Sequence, residues 1–337
     1  VLLFKLEGQV ILRNPDYKME DKLLLHKVDV ARQTVEIDGR EYDIKEETFP
    51  TVNFAAENLE DVYQLTEEEE QVVEGLEMAF VNSIRLRQHI DFLYKKGSMY
   101  RIFNNNLLYH GCVPLDESGN FEGVVFGKKR YRGRDYLDYA EHIARRAWSK
   151  DAKEKDKDFM WYLWCGAKSP LFGKEKMTTF EHYFIEDKAT HKEAMNPYYQ
   201  LSEKEECCRK ILKEFGLSPE EGHIINGHVP VKLKDGETPV KAGGKLFVID
   251  GGLSKAYQSK TGIAGYTLIF NSHHLALAEH MPFCPGKKNT PKVTIVEKMK
   301  RRIMVGDTDL GKELEARIED LKELVSAYRD GILKEKL

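Results

Sequence analysis

The chain has 337 residues, with 52 Lys and Arg against 56 Asp and Glu and a net charge of −4, so no global electrostatic case exists for nucleic acid or an anionic membrane as partner. Hydrophobic residues make up 41% and aromatics 10%, enough for one large domain or two ordinary ones with a buried core. The apolar runs are too short to cross a bilayer. The five cysteines, odd in number and without a C-x-x-C pair, exclude a disulfide framework or a zinc ribbon and point to a reducing cytoplasm.

No signal-peptide pattern opens the chain, which starts on Val1 in the apolar stretch VLLF. Residues 1–50 read as short strands and turns, with a hairpin about Asp38-Gly39. Thr66-x-x-Glu69 is a capping box that opens a long helix, its acidic first turn suited to the positive end of the helix dipole. Val72, Val73, Leu76, Phe80, Ile84, Ile90 and Leu93 continue it at helical spacing, and Lys95-Lys96-Gly97 closes it. Tyr100–Phe103 and Asn106–Tyr109 read as two strands about an Asn-rich turn. The second runs into His110-Gly111-Cys112-Val113-Pro114.

Residues 135–148 read as helical, and DAKEKDKD at 151–158 as a solvated charge run. WYLWCGAKSPLFGK at 161–174 passes from apolar to turn-rich. Ser202-x-x-Glu205 is read as the cap of a helix with Cys208, Ile211, Leu212 and Phe215 on one face and Gly216 at its end. Strand HIIN, loop GHVPV, strand KLFVID (245–250), a Gly-rich turn and strand GYTLIF (265–270) follow. The tail from about residue 307 is charged and helical. There are no internal repeats.

Two histidines share a context. His110 and His228 each follow an apolar strand and precede a Val-Pro pair. Ligand-binding residues of open α/β sheets collect at the carboxyl ends of strands. Glycine there allows close backbone approach, and proline stiffens the exit. Two histidines alone do not make a metal site, because divalent ions in hydrolases take carboxylates or amides as well. His223 reads as a polar strand-end residue, His273-His274 as exposed, and His142, His182 and His191 as surface residues.

The segments Asn226–Val231, Val248–Ser259 and Gly262–Leu268 closely resemble the class III fructose-1,6-bisphosphatases of bacteria. So do Leu107–Pro114 and the run from Trp161 through Ser169-Pro170-Leu171-Phe172-Gly173-Lys174 to Glu181. The resemblance extends from Phe4 almost to the end. It implies an α/β fold of the calcineurin-like metallophosphatase type, a β-sandwich flanked by helices. Of this the chain would supply the C-terminal part, with residues 1–300 in the metallophosphatase domain and 301–337 as a charged helical tail.

The resemblance also implies a dinuclear Mn²⁺ site built from five motifs, the last two of which correspond to His110 and His228. The first three are absent: Gly306-Asp307-Thr308-Asp309 is not Gly-Asp-x-x-Asp, Phe121 and not His follows Gly119-Asn120, and no Asp-x-His occurs. The chain is therefore expected to be the C-terminal half or so of such a protein. It is expected to form a homo-oligomer or to need the missing N-terminal half, and to be poorly soluble or incomplete alone.

The implied reaction is hydrolysis of fructose 1,6-bisphosphate to fructose 6-phosphate in gluconeogenesis by a metal-activated hydroxide. The alternatives are another calcineurin-like phosphoesterase or an inactive truncated form. Asp250 is the candidate support for a metal-holding histidine, or a turn-former before Gly-Gly. Lys174, Lys255, Tyr257 and Arg132, with Arg134, are candidates for contact with the sugar bisphosphate. Trp161 and Trp164 are expected in the core.

Overall fold

The computed structural model describes residues 1–45, 49–252, 254–286 and 288–334, with the backbone alone at Lys255. It divides into two compact units, Val1–Tyr100 with His110–Leu201, and Arg101–Tyr109 with Ser202–Leu337. Among the described residues no helix is long and apolar enough to cross a membrane.

The first unit opens with a helix, not the expected strands. Helix α1 (Leu2–Arg13) buries Phe4, Lys5, Gly8 and Ile11, a stripe at helical spacing that overrides the strand-like look of VLLF. Lys5 is fully buried, and its Nζ lies 2.7 Å from Glu69 Oε2. Strands β1 (Val28–Asp29), β2 (Thr34–Ile37) and β3 (Arg40–Asp43) form an antiparallel sheet. The expected hairpin is present, with Asp38 and Gly39 at φ 51° and 74°, the signature of a two-residue turn with both centres left-handed.

After α2 (Leu59–Val62), the Thr66 capping box starts α3 (Glu67–Val81) as read from the sequence. The single long helix does not form. Ser83 accepts the Leu86 amide and caps a new helix, α4 (Ile84–Lys96), because a serine side chain competes for backbone donors and favours caps. Val72, Leu76, Phe80, Ile84 and Leu93 stand 53–75% exposed.

Strands β4 (Tyr100–Phe103) and β5 (Asn106–Tyr109) lead into the second unit. The first unit resumes with the hairpin β6 (Val124–Phe126) and β7 (Lys129–Tyr131), α5 (Gly133–Trp148) and α6 (Glu154–Cys165). Part of the 151–158 charge run is the first turn of α6, where the Asp156 carboxylate accepts the Lys153 amide at 3.0 Å. Helices α7 (Thr179–Phe184) and α8 (Tyr198–Leu201) complete this unit. Its core joins Phe4, Ile11, Tyr17, Leu25, Tyr63, Tyr136, Phe159, Tyr162 and Phe180. Trp161 packs partly buried on that core, but Trp164 is 56% exposed, against expectation.

In the second unit, α9 (Glu205–Glu214) buries Cys208, Ile211 and Leu212 as expected. Ser202 is not its cap: Lys204 holds that position, and buried Ser202 gives its carbonyl to the Cys208 thiol. Strands β8 (His223–Asn226), β9 (Val240–Lys241) and β10 (Leu246–Val248) join β4 and β5 in one sheet of order β4-β5-β8-β10-β9. Helix α10 (Lys255–Thr261) leads to a second, antiparallel sheet of β11 (Gly265–Phe270), β12 (His274–His280) and β13 (Lys292–Lys298). The charged tail forms α11 (Asp309–Arg329). The fold is thus mixed α/β.

Candidate active site

The centre of the five-stranded sheet is parallel. β8 pairs with β5 on one side and β10 on the other, with Leu108 opposite Ile225 and Phe247 opposite Ile225. Leu107, Ile224, Ile225, Leu246 and Phe247 are all buried, so apolar burial fixes these strands rigidly in register. Parallel pairing brings the carboxyl ends of the three strands to one edge, where α/β sheets bind ligands.

The chain leaves β8 through Asn226-Gly227-His228-Val229-Pro230. Asn226 is buried, and its carbonyl accepts the Ile249 amide at 2.9 Å. The Val229 amide donates to the Gly227 carbonyl at 2.8 Å, closing a three-residue turn on His228, whose φ is 67°. This is the rare, strained γ-turn. A non-glycine residue held there costs about 1–3 kcal/mol and persists only where its surroundings impose it. The Val231 amide pins the far side of the loop to the Asp250 carbonyl at 2.8 Å. His228 is left half-buried at the carboxyl edge.

Asp250 comes to the same edge after β10. Its Oδ1 accepts the Gly252 amide at 2.7 Å, so the carboxylate shapes the turn. The following glycines are dictated by space and conformation: a Cβ on Gly251 would lie 2.7 Å from the Gly265 Cα, and Gly252 has φ 74°. Tyr257 is 54% exposed on α10. The side chain of Lys255 lies outside the described residues.

His110, the residue after β5, is exposed. A Cβ on its neighbour Gly111 would lie 2.3 Å from the Pro170 carbonyl oxygen, and the Cys112 amide donates to that oxygen at 2.9 Å. The two motifs HGCVP and SPLFGK therefore interlock within the first unit, and glycine is what lets them touch. The Cys112 thiol is fully buried; burial pushes its pKa up, against a smaller lowering by its hydrogen bond to Tyr199.

Lys174 is not an uncommitted cation. Its Nζ lies 2.5 Å from Glu193 Oε2 and 5.8 Å from the centre of the Phe172 ring. Burial pulls the Glu193 carboxyl up, but Lys174 and the amide and hydroxyl of Thr178 outweigh it and hold the pKa below the usual carboxylate value. Arg132 is exposed at the start of α5. Arg134 is tied to the Tyr100 hydroxyl at 3.0 Å and to Asp138.

Among the described residues, no three of His, Cys, Asp and Glu gather into a group able to hold a metal ion. The described residues therefore do not by themselves complete a dinuclear metal centre.

Sequence reasoning missed the pairing of His223 with Glu297. His223 is buried, and its Nε2 lies 2.7 Å from Glu297 Oε2 on β13. Burial lowers the His223 pKa; Glu297 opposes this, and Lys245 adds to the lowering. The alternation in KVTIVEK was the available signal for β13.

The chain is 49% identical over 346 residues to "Fructose-1,6-bisphosphatase class 3 1" of Clostridium beijerinckii, matching 100% of this chain and 51% of that protein. It is 50% identical over 347 residues to "Fructose-1,6-bisphosphatase class 3" of Clostridium acetobutylicum, at 99% and 51% coverage. The protein of that name from Alkaliphilus metalliredigens is 48% identical over 349 residues, at 100% and 52%. The chain thus spans about half the length of the curated relatives it matches. No solved structure matches. The family model described as firmicute fructose-1,6-bisphosphatase matches residues 1–330, and with these relatives it establishes that the chain belongs to the firmicute fructose-1,6-bisphosphatase family.

Proposed function

We propose that this chain forms the C-terminal portion of an enzyme that hydrolyses fructose 1,6-bisphosphate to fructose 6-phosphate and phosphate in gluconeogenesis, in the cytoplasm. The observation that carries this reading is the unbroken family match over residues 1–330. The strained His228 turn at the carboxyl edge of the parallel strands supports it, because such strain collects at functional sites.

Within this reading, the chain is the C-terminal part of a calcineurin-like metallophosphatase, with residues 1–300 in that domain and 301–337 as its tail. His110 and His228 are two ligands of a dinuclear Mn²⁺ site whose other ligands come from outside the described residues. Asp250 holds the His228 loop in place through its carbonyl and the Gly-Gly turn through its carboxylate. Arg132, Lys255 and Tyr257 are the side chains offered to the sugar bisphosphate. Lys174 joins them only by giving up Glu193, which weakens its candidacy.

The test is phosphate release from fructose 1,6-bisphosphate by a polypeptide of the relatives' length carrying this sequence, assayed with added Mn²⁺ and after chelation. Metal-dependent release that collapses in both His110→Ala and His228→Ala is expected. Release untouched by either substitution would overturn the ligand roles, and no release from this substrate would overturn the activity.

A further inference from the structure

Helix α11 runs 21 residues from Asp309 to Arg329, a length of about 31 Å. Its first turn is well held. Thr308 Oγ1 accepts the Gly311 amide at 3.0 Å. The Asn104 amide donates to Asp309 Oδ2 at 2.7 Å, and the Asp309 amide donates back to Asn104 Oδ1 at 2.9 Å. Gly311 is the one buried residue among those described in the helix. Beyond it, Leu314, Ile318, Leu321, Val325 and Tyr328 are 42–59% exposed.

Those five residues are spaced alternately four and three apart, the heptad spacing of a coiled-coil seam. Ile332, just past the helix, continues it. Ile318 and Val325 fall at a positions, and Leu314 and Leu321 at d. Most of the stability of a helix in a protein comes from packing of its apolar face.

We propose that this face is the interface between two copies of the chain, their α11 helices packed antiparallel. The orientation follows from the charges beside the seam. Glu315, Lys322 and Arg329 line one flank, and Arg317 and Leu324 the other. In a parallel pair, Arg317 meets Lys322 of the second copy twice, and both contacts repel. In an antiparallel pair with Leu321 opposite Val325, Glu315 meets Arg329 of the second copy twice, and both attract. Leu324 then meets its own equivalent and extends the apolar seam. Lys322 also meets its equivalent, but each is already 3.2 Å from Glu319 of its own helix. The pairing is two-fold symmetric and self-complementary, as closed homodimers require.

Sedimentation equilibrium of the full chain tests the interface. Reversible dimers are expected, with the dissociation constant raised at least about tenfold by Leu321→Glu. Position 321 is exposed in the single chain, so the substitution leaves the fold intact. Orientation is read by oxidative cross-linking in a Cys284→Ser background. Leu324→Cys should form covalent dimers and Leu314→Cys should not, whereas parallel helices would reverse this and overturn the orientation. A chain monomeric at every concentration, or a dimer indifferent to Leu321→Glu, would overturn the interface and leave the seam to another partner.

Discussion

The amide of Val229 donates to the carbonyl of Gly227 at 2.8 Å, and the turn it closes holds His228 at φ 67°. Glycine adopts that conformation at no steric cost, and histidine only under strain. His228→Gly should therefore stabilise the chain by about 1 kcal/mol, measured by urea denaturation. Under the proposed function, the same substitution in a polypeptide of the relatives' length should lower phosphate release by more than about 100-fold. A variant that loses stability, or keeps its activity, would show that the strain serves no function.

Gly111 touches the Pro170 carbonyl oxygen more closely than any side chain allows. Gly111→Ala must push the HGCVP and SPLFGK segments apart at a buried position. It should cost about 2 kcal/mol or more, seen as a lower denaturation midpoint. An unchanged midpoint would mean that the Pro170 segment can yield.

Lys174 and Glu193 form a partly exposed ion pair, worth about 1 kcal/mol at most. The Glu193 pKa is lowered in the fold, so the stabilisation is present above the ordinary carboxylate value and is lost as pH falls through the lowered one. Lys174→Met should be less stable than the parent chain at neutral pH and nearly equal to it in acid. A difference that persists in acid would point to lost packing, not lost charge.

His223 behaves in the opposite sense to a histidine that gains a partner. Burial lowers its pKa below 6.5 despite Glu297, so the unfolded chain takes up the proton first as the solution is acidified. Stability is complete above pH 6.5 and is lost as pH falls from there through the lowered folded value. His223→Phe should flatten this part of the stability profile. An unaltered slope would assign it to other groups.

The cysteines should separate by reactivity. Cys284 is exposed, while Cys112, Cys165 and Cys208 are buried, and burial pushes the Cys165 and Cys208 thiols up to about 12. The thiolate is the reactive form. Alkylation of the native chain, followed by mass spectrometry, should label Cys284 well before Cys112. Early labelling of Cys112 would show that the HGCVP segment opens readily.

Much of the local structure was legible because its causes lie within a few residues. Asp38-Gly39 and Asn104-Asn105 carry the residue types that left-handed turns need, and Thr66 and Glu69 cap each other across one helical turn. GYTLIF is a strand over the range read from its sequence. Where two local signals competed, the reading failed. Ser83 caps a new helix inside an apolar periodicity that reads as unbroken, and Ser202 has the look of a cap but is buried beside Cys208.

The sequence by itself determined the family, the histidines at the two strand exits and the Asp38-Gly39 and Asn104-Asn105 turns, because motifs and turn chemistry are written in adjacent residues. Only the tertiary structure decided that Lys174 is held by Glu193, that Asp250 spends its carboxylate on a turn, and that His223 meets Glu297 across 74 positions. These depend on burial and on distances between segments far apart in the chain, which no local pattern encodes. The strain at His228 belongs with them: the loop that imposes it is tied down by Asp250, just past another strand.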